Sequence, residues 1–155
     1  MIVRRCQPSE TREVLQWIKD HHYLRSTPPG FVFILEFLEG RNRIGAMQVG
    51  RPTSRKIDAE RIFELTRMYF VDQAPANTES AALAMLRRFV RRWFQGIRLL
   101  LAYSDPAQGH RGTIYEADGW APFGRTAPSH GCGWKSREGR RDECVGSKLR
   151  WVRTP

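Results

Sequence analysis

Apolar positions along this chain repeat in two rhythms, about 3.6 residues and two residues, and the switches between them mark the elements. After an apolar start at 1–4, Ser9 suits a helix N-cap and Glu10 the first turn. Val14, Leu15 and Ile18 then share one helical face, with Glu13, Gln16 and Lys19 on the wet side. The helix ends near His21-His22-Tyr23, because Pro28 and Pro29 forbid its continuation. Residues 31–38 and 43–49 predict a hairpin around a turn at 39–42. A polar loop over 50–58 leads to a longer strand at 61–71. Regular alternation there sends Ile62, Glu64, Thr66 and Met68 to one face and Phe63, Leu65, Arg67 and Tyr69 to the other.

The clearest helix is predicted over 79–95, where Leu83, Leu86, Phe89, Val90 and Trp93 form an apolar stripe. Arg87, Arg88, Arg91 and Arg92 lie opposite, as a solvated face or a phosphate contact. Residues 97–103 read as a central strand covered on both faces. A short helix over 110–118, strands at 120–123 and 148–152, and a polar basic loop over 124–147 complete the chain. No repeat or linker divides it, so residues 1–155 are expected to form one domain with a basic C-terminal extension from about 124. The element order predicts a mixed α/β sheet flanked by helices, the layout of the GCN5-related acetyltransferase fold.

Charge changes the picture. Twenty-six Lys and Arg against 16 Asp and Glu give a net +10, and all but four of the bases are Arg. The planar guanidinium binds phosphate bidentately and stacks on bases, so the bias points to nucleic acid, although Arg-rich coding would give the same composition. The longest apolar run, 31–38, is too short to span a membrane. The first ten residues lack an apolar signal core, and Cys6, Cys132 and Cys144 form no closely spaced set, so a reduced cytoplasmic setting is expected.

Four stretches stand out: HHYL at 21–24, ELTRMYF at 64–70, ANTES at 76–80 and YSDPAQGHRGTIYEADGW at 103–120. With the tail KLRWVRTP, they resemble the Mom family of bacteriophage DNA-modification proteins over nearly the whole chain. The resemblance implies an acetyltransferase-type fold and double-stranded DNA as substrate. It further implies transfer of a carbamoylmethyl group to the exocyclic amine of adenine, which protects the DNA from host restriction. It marks His22 and Tyr23 as a functional pair.

The acetyltransferase layout places a glycine-rich pyrophosphate loop before the long helix, yet residues 73–82 contain no glycine. Asn77, Thr78 and Ser80 remain candidates for holding an anion at the helix start, so acetyl-CoA stays possible. Glu64 and Arg67 are costly inside an apolar strand unless paired or used, and sharing one site would require a bulge. Asp105 ends a buried-type strand, either as a turn cap before Pro106 or as a carboxylate at the ligand-binding edge. His110 and Tyr115 are further catalytic candidates, Tyr115 as a general acid.

His22, Tyr23, Asp105 and His110 offer N and O ligands for a transition metal such as iron, and His130, Cys132 and Cys144 a weaker zinc set. An extruded base needs an aromatic pocket and a basic rim. Tyr23, Tyr69, Trp120 and Phe123 are the pocket candidates, and Arg87, Arg91, Arg137, Arg140 and Arg141 the rim. The leading expectation is a DNA-modifying transferase. The alternatives are an acetyl-CoA-dependent N-acetyltransferase acting on a protein, tRNA or small amine, and a non-catalytic nucleic-acid-binding module.

Overall fold

The computed structural model describes residues 1–127 and 146–155. The expectations for Arg137, Arg140, Arg141, His130, Cys132 and Cys144 lie outside these residues. Among the described residues the strands are β1 (Ile2–Arg5), β2 (Phe31–Glu39), β3 (Asn42–Gly50), β4 (Ile62–Phe70), β5 (Leu99–Ser104), β6 (Ala121–Arg125) and β7 (Leu149–Arg153). The helices are α1 (Thr11–His21), α2 (Thr78–Trp93) and α3 (Thr113–Ala117). One sheet orders its strands β1-β2-β3-β4-β5-β7-β6. β4 and β5 run parallel and every other pair antiparallel. No helix among the described residues is long and apolar enough to cross a membrane.

The sheet is covered on both faces. On one, α1 packs Val14 and Ile18 against Ile34, Ala46 and Cys6. On the other, Ala82, Leu83, Leu86 and Val90 of α2 join Phe33, Leu35, Met47, Phe63 and Leu65. This double coverage explains why β2 reads as a nearly unbroken apolar run. Glu36, inside that run, is fully buried and ion-paired to Arg4 of β1 at 3.0 Å and Arg43 of β3 at 2.9 Å.

Three local expectations change. Glu10, not Ser9, stands at the N-cap of α1, and no side chain caps that helix, because the Glu10 carboxylate is drawn to Arg4 at 2.9 Å. Trp93 is 66% exposed, since α2 ends there and carries its indole past the sheet. Arg87 does not join the solvated arginine face. Its Nε and Nη2 donate to Asp118 at 2.8 and 2.7 Å, and Asp118 also accepts from Trp120 Nε1 at 2.9 Å. This bidentate pair fastens α2 to the end of α3 and removes Arg87 from the candidates for phosphate contact.

Candidate functional site

The bulge that a shared Glu64–Arg67 site requires is present. Gln48 pairs with Arg67 but the next residue, Val49, pairs with Leu65, so Thr66 is an extra residue in β4. Its hydroxyl donates to the Gln48 carbonyl at 3.0 Å. The bulge reverses the alternation predicted beyond Leu65. Met68 and Phe70 continue the α2-side core with Phe63 and Leu65, and Arg67 and Tyr69 join Glu64 on the α1 side. The parallel pairing of β4 with β5 also stops at Leu65 and Ala102, so the two strands part where the bulge sits.

Glu64 is buried and accepts from Thr53 N at 2.8 Å and Thr53 Oγ1 at 3.1 Å. Burial raises its carboxyl above the ordinary glutamate value, against the opposing pull of those hydrogen bonds and of Arg67 and Lys148. Tyr103, on the neighbouring strand, is also pushed up by burial and then by Glu64. The Arg150 guanidinium lies 5.9 Å from the Tyr103 ring and 6.0 Å from Phe123, which is 61% exposed. Arg67 donates to the Ser26 carbonyl at 2.7 Å, its hydroxyl at 3.2 Å and the Thr66 carbonyl at 2.6 Å, tying the α1–β2 loop to the bulge.

That loop carries His22 and Tyr23. Their rings stack at 4.5 Å, and Tyr23 meets His110, beyond β5, at 5.2 Å. Tyr23 is 38% exposed between the two imidazoles, whereas His22 is buried. His22 Nδ1 accepts from Leu24 N at 3.2 Å, so the neutral ring carries its proton on Nε2 and acts as a donor there. Burial first, then the charge of Arg67, His110 and Lys148, pushes His22 down to about 3. The structure thus brings His22, Tyr23, His110, Arg67 and Glu64 to one region and adds Thr53, Tyr103, Lys148 and Arg150, which sequence reasoning missed. The motif at 103–120 opens on Tyr103 and the tail motif KLRWVRTP holds Lys148 and Arg150, whereas nothing in the sequence pointed to Thr53.

Other candidates fall elsewhere. Asp105 uses its carboxylate to accept from Ala107 N at 3.0 Å, capping a short turn over 106–108, so its turn role is realised. The ligand atoms of His22, Asp105 and His110 do not all lie within 4.8 Å of one another. Cys6, Glu10 and Glu36 do converge to that distance, but Arg4 and Arg43 already neutralise the carboxylates. Tyr115 is a core residue, stacked on Trp151 at 5.7 Å and edge-on to Trp120 at 5.4 Å, and burial raises its phenol above the ordinary value. That leaves it poorly placed as a general acid, and Trp120 is likewise in the core. Tyr69 packs on His21 and Trp17 of α1, at 5.3 Å from each, and so faces α1 rather than a common aromatic pocket. Arg91 lies exposed in the last turn of α2.

The start of α2 does not suit a pyrophosphate. Asn77 takes a left-handed conformation, φ 66°, and caps nothing with its side chain. Thr78 Oγ1 donates to the Pro75 carbonyl at 2.6 Å and Ser80 Oγ to the Asn77 carbonyl at 3.0 Å, so both hydroxyls turn back into the loop. Glu79 adds a negative charge in the first turn, and no glycine lets a phosphate approach the backbone. Of the three residues expected to hold acetyl-CoA, Thr78 and Ser80 are therefore spent on the loop itself.

The buried imidazole carries a pH signature. Between pH 6.5 and about 3 the unfolded chain takes up a proton at His22 that the folded chain refuses. The stability tied to this group is complete above pH 6.5 and lost as pH falls toward 3. His22→Gln should make the acid decline in stability shallower, read by urea unfolding over that range. An unchanged slope would mean that His22 is not held neutral in the fold.

The whole-chain architecture matches solved acetyltransferases. The ribosomal-protein-alanine N-acetyltransferase from Brucella melitensis superposes over 100% of both chains with a TM-score of 0.63 at 13% identity. A GNAT-family acetyltransferase from Streptococcus pneumoniae gives 0.66 at 8% identity over 99% of this chain and 98% of that one. These likenesses show the fold, that of the GCN5-related acetyltransferases. In sequence, the chain is 26% identical over 108 residues to the protein described as methylcarbamoylase mom from Escherichia phage Mu. The match covers 64% of this chain and 45% of that relative, so the chain spans less than half of its length. The model of the Mom protein family matches residues 2–141, most of the strands and all three helices described above, and the chain belongs to that family.

Proposed function

We propose that this protein is a transferase that modifies DNA, adding a carbamoylmethyl-type group to the exocyclic amine of adenine and so protecting the DNA from host restriction. Its membership of the Mom family and the name of its phage Mu relative support the reaction class. The observation that carries the reading is the stack of Tyr23, partly exposed, between His22 and His110, with Arg67 and Lys148 acting on both His22 and buried Glu64.

An exocyclic amine becomes a nucleophile only as it loses a proton. Glu64 is a carboxyl whose affinity for protons burial has raised, suited to accept the amine proton as the C–N bond forms and the bond from the transferred group to its carrier breaks, the carrier leaving with that electron pair. The His22 Nε2–H and the Tyr23 hydroxyl are donors for the polar atoms of the extruded base or the incoming group. Arg67 holds the loop that presents them. The residues at the start of α2 do not fit the pyrophosphate of acetyl-CoA.

Nucleoside mass spectrometry of DNA from cells expressing the protein is the test. A modified deoxyadenosine heavier by one carbamoylmethyl group is the expected product. Unmodified DNA, with an acetylated protein or small amine in its place, would overturn the reading.

A further inference from the structure

The arginines left over from the site gather at the opposite end of the molecule. α2 runs 16 residues, or about 24 Å, from Thr78 to Trp93. At that far end Arg91, Arg92 and Arg98 are exposed. Arg98 N donates to the Arg61 carbonyl at 2.7 Å, which joins them to the β3–β4 loop and its exposed Arg55, Lys56 and Arg61. The acids at this end are Asp58, 3.9 Å from Arg61, and Glu60. Two bases in the last turn would offset the helix dipole, but this end carries many more. Among them Trp93 is 66% exposed, with the Arg92 guanidinium 5.7 Å from its ring. A large exposed indole within a basic surface has a specific use, since every unpaired base offers a face on which it can stack.

We infer that this end of the sheet binds a single-stranded DNA segment, its phosphates on the arginines and one base on Trp93. Charge complementarity selects a polyanion as occupant. The exposed ring selects a single strand, because bases within a duplex are already stacked on their neighbours. Trp93, Arg92 and Arg98 are not among the residues that gather around His22, and the role of this surface goes beyond the proposed reaction.

The test is fluorescence anisotropy with a fluorescein-labelled thymidine oligonucleotide and a duplex of equal length. Trp93→Ala should weaken single-strand binding about 5- to 100-fold, leave duplex binding nearly unchanged and keep the wild-type melting temperature. Trp93→Phe should retain most of the affinity. Arg92→Gln with Arg98→Gln should reduce the slope of log affinity against log salt by about 1.4, or ~0.7 per phosphate contact. Equal single-strand binding by wild type and Trp93→Ala would overturn the inference, as would an equal loss on the duplex. The readout does not pass through DNA modification, so it fails or succeeds apart from the proposed reaction.

Discussion

Gly112→Ala should lower the melting temperature by roughly 10 °C, from a loss of about 2–5 kcal/mol. Gly112 precedes α3 with φ +93°, a conformation that costs any residue bearing a Cβ. A Cβ there would also collide with Cζ2 of Trp151. The indole cannot retreat, because its Nε1 donates to Ser104 Oγ at 2.9 Å and its ring is stacked on Tyr115. Strain and collision add at one position, and this position joins β5, α3 and β7. Thermal unfolding of the variant is the measurement. A melting temperature within about 2 °C of wild type would mean that the Gly112 turn is not packed against Trp151.

Glu64→Gln should lower the rate of DNA modification by about 10²–10⁴-fold with little change in stability. Glutamine keeps the volume, and its carbonyl oxygen can still accept from Thr53 N, so the β3–β4 loop stays attached. What it lacks is a group that takes up a proton. A purely structural Glu64 predicts wild-type product with the amide in place, and that result would remove it from the reaction. Modified deoxyadenosine measured against time, with unfolding curves for both proteins, separates the two.

Most of the fold was legible because hydrophobic spacing reports burial directly. Val14 and Ile18, or Leu83, Leu86 and Val90, could face only a core, and the structure buries them. The order of strands and helices then left few architectures. The bulge at Thr66 was not legible, since one extra residue leaves no trace in composition, yet it decides which way Arg67 and Tyr69 face. Partnership was equally hidden. Arg87 looked like its neighbours on the helix until Asp118, 31 residues on, claimed it. His22, Tyr23 and His110 came from motifs and do converge, whereas Asp105, Thr78 and Ser80 are bound to their own turns. Short polar side chains near loops satisfy the local backbone first, and spacing alone cannot separate that use from ligand binding.

The Glu36 carboxylate has a consequence for assembly of the sheet edge. β1 is only four residues long and lies outermost, where a strand is held by little and can slide or be replaced by a foreign one. Arg4 stands directly opposite Glu36 in the β1–β2 register. Sliding β1 by one residue would turn Arg4 to the other face, and sliding by two would carry it about 7 Å along the strand. A slip that sets Val3 or Ile2 opposite Glu36 strands part of a buried charge, at a cost that can reach several kcal/mol, whereas a slip of one residue the other way sets Arg5 there. A peptide without an arginine at that point meets the same penalty. The buried carboxylate therefore works as a proofreading device for the edge, favouring a strand that brings an arginine opposite it over one that does not.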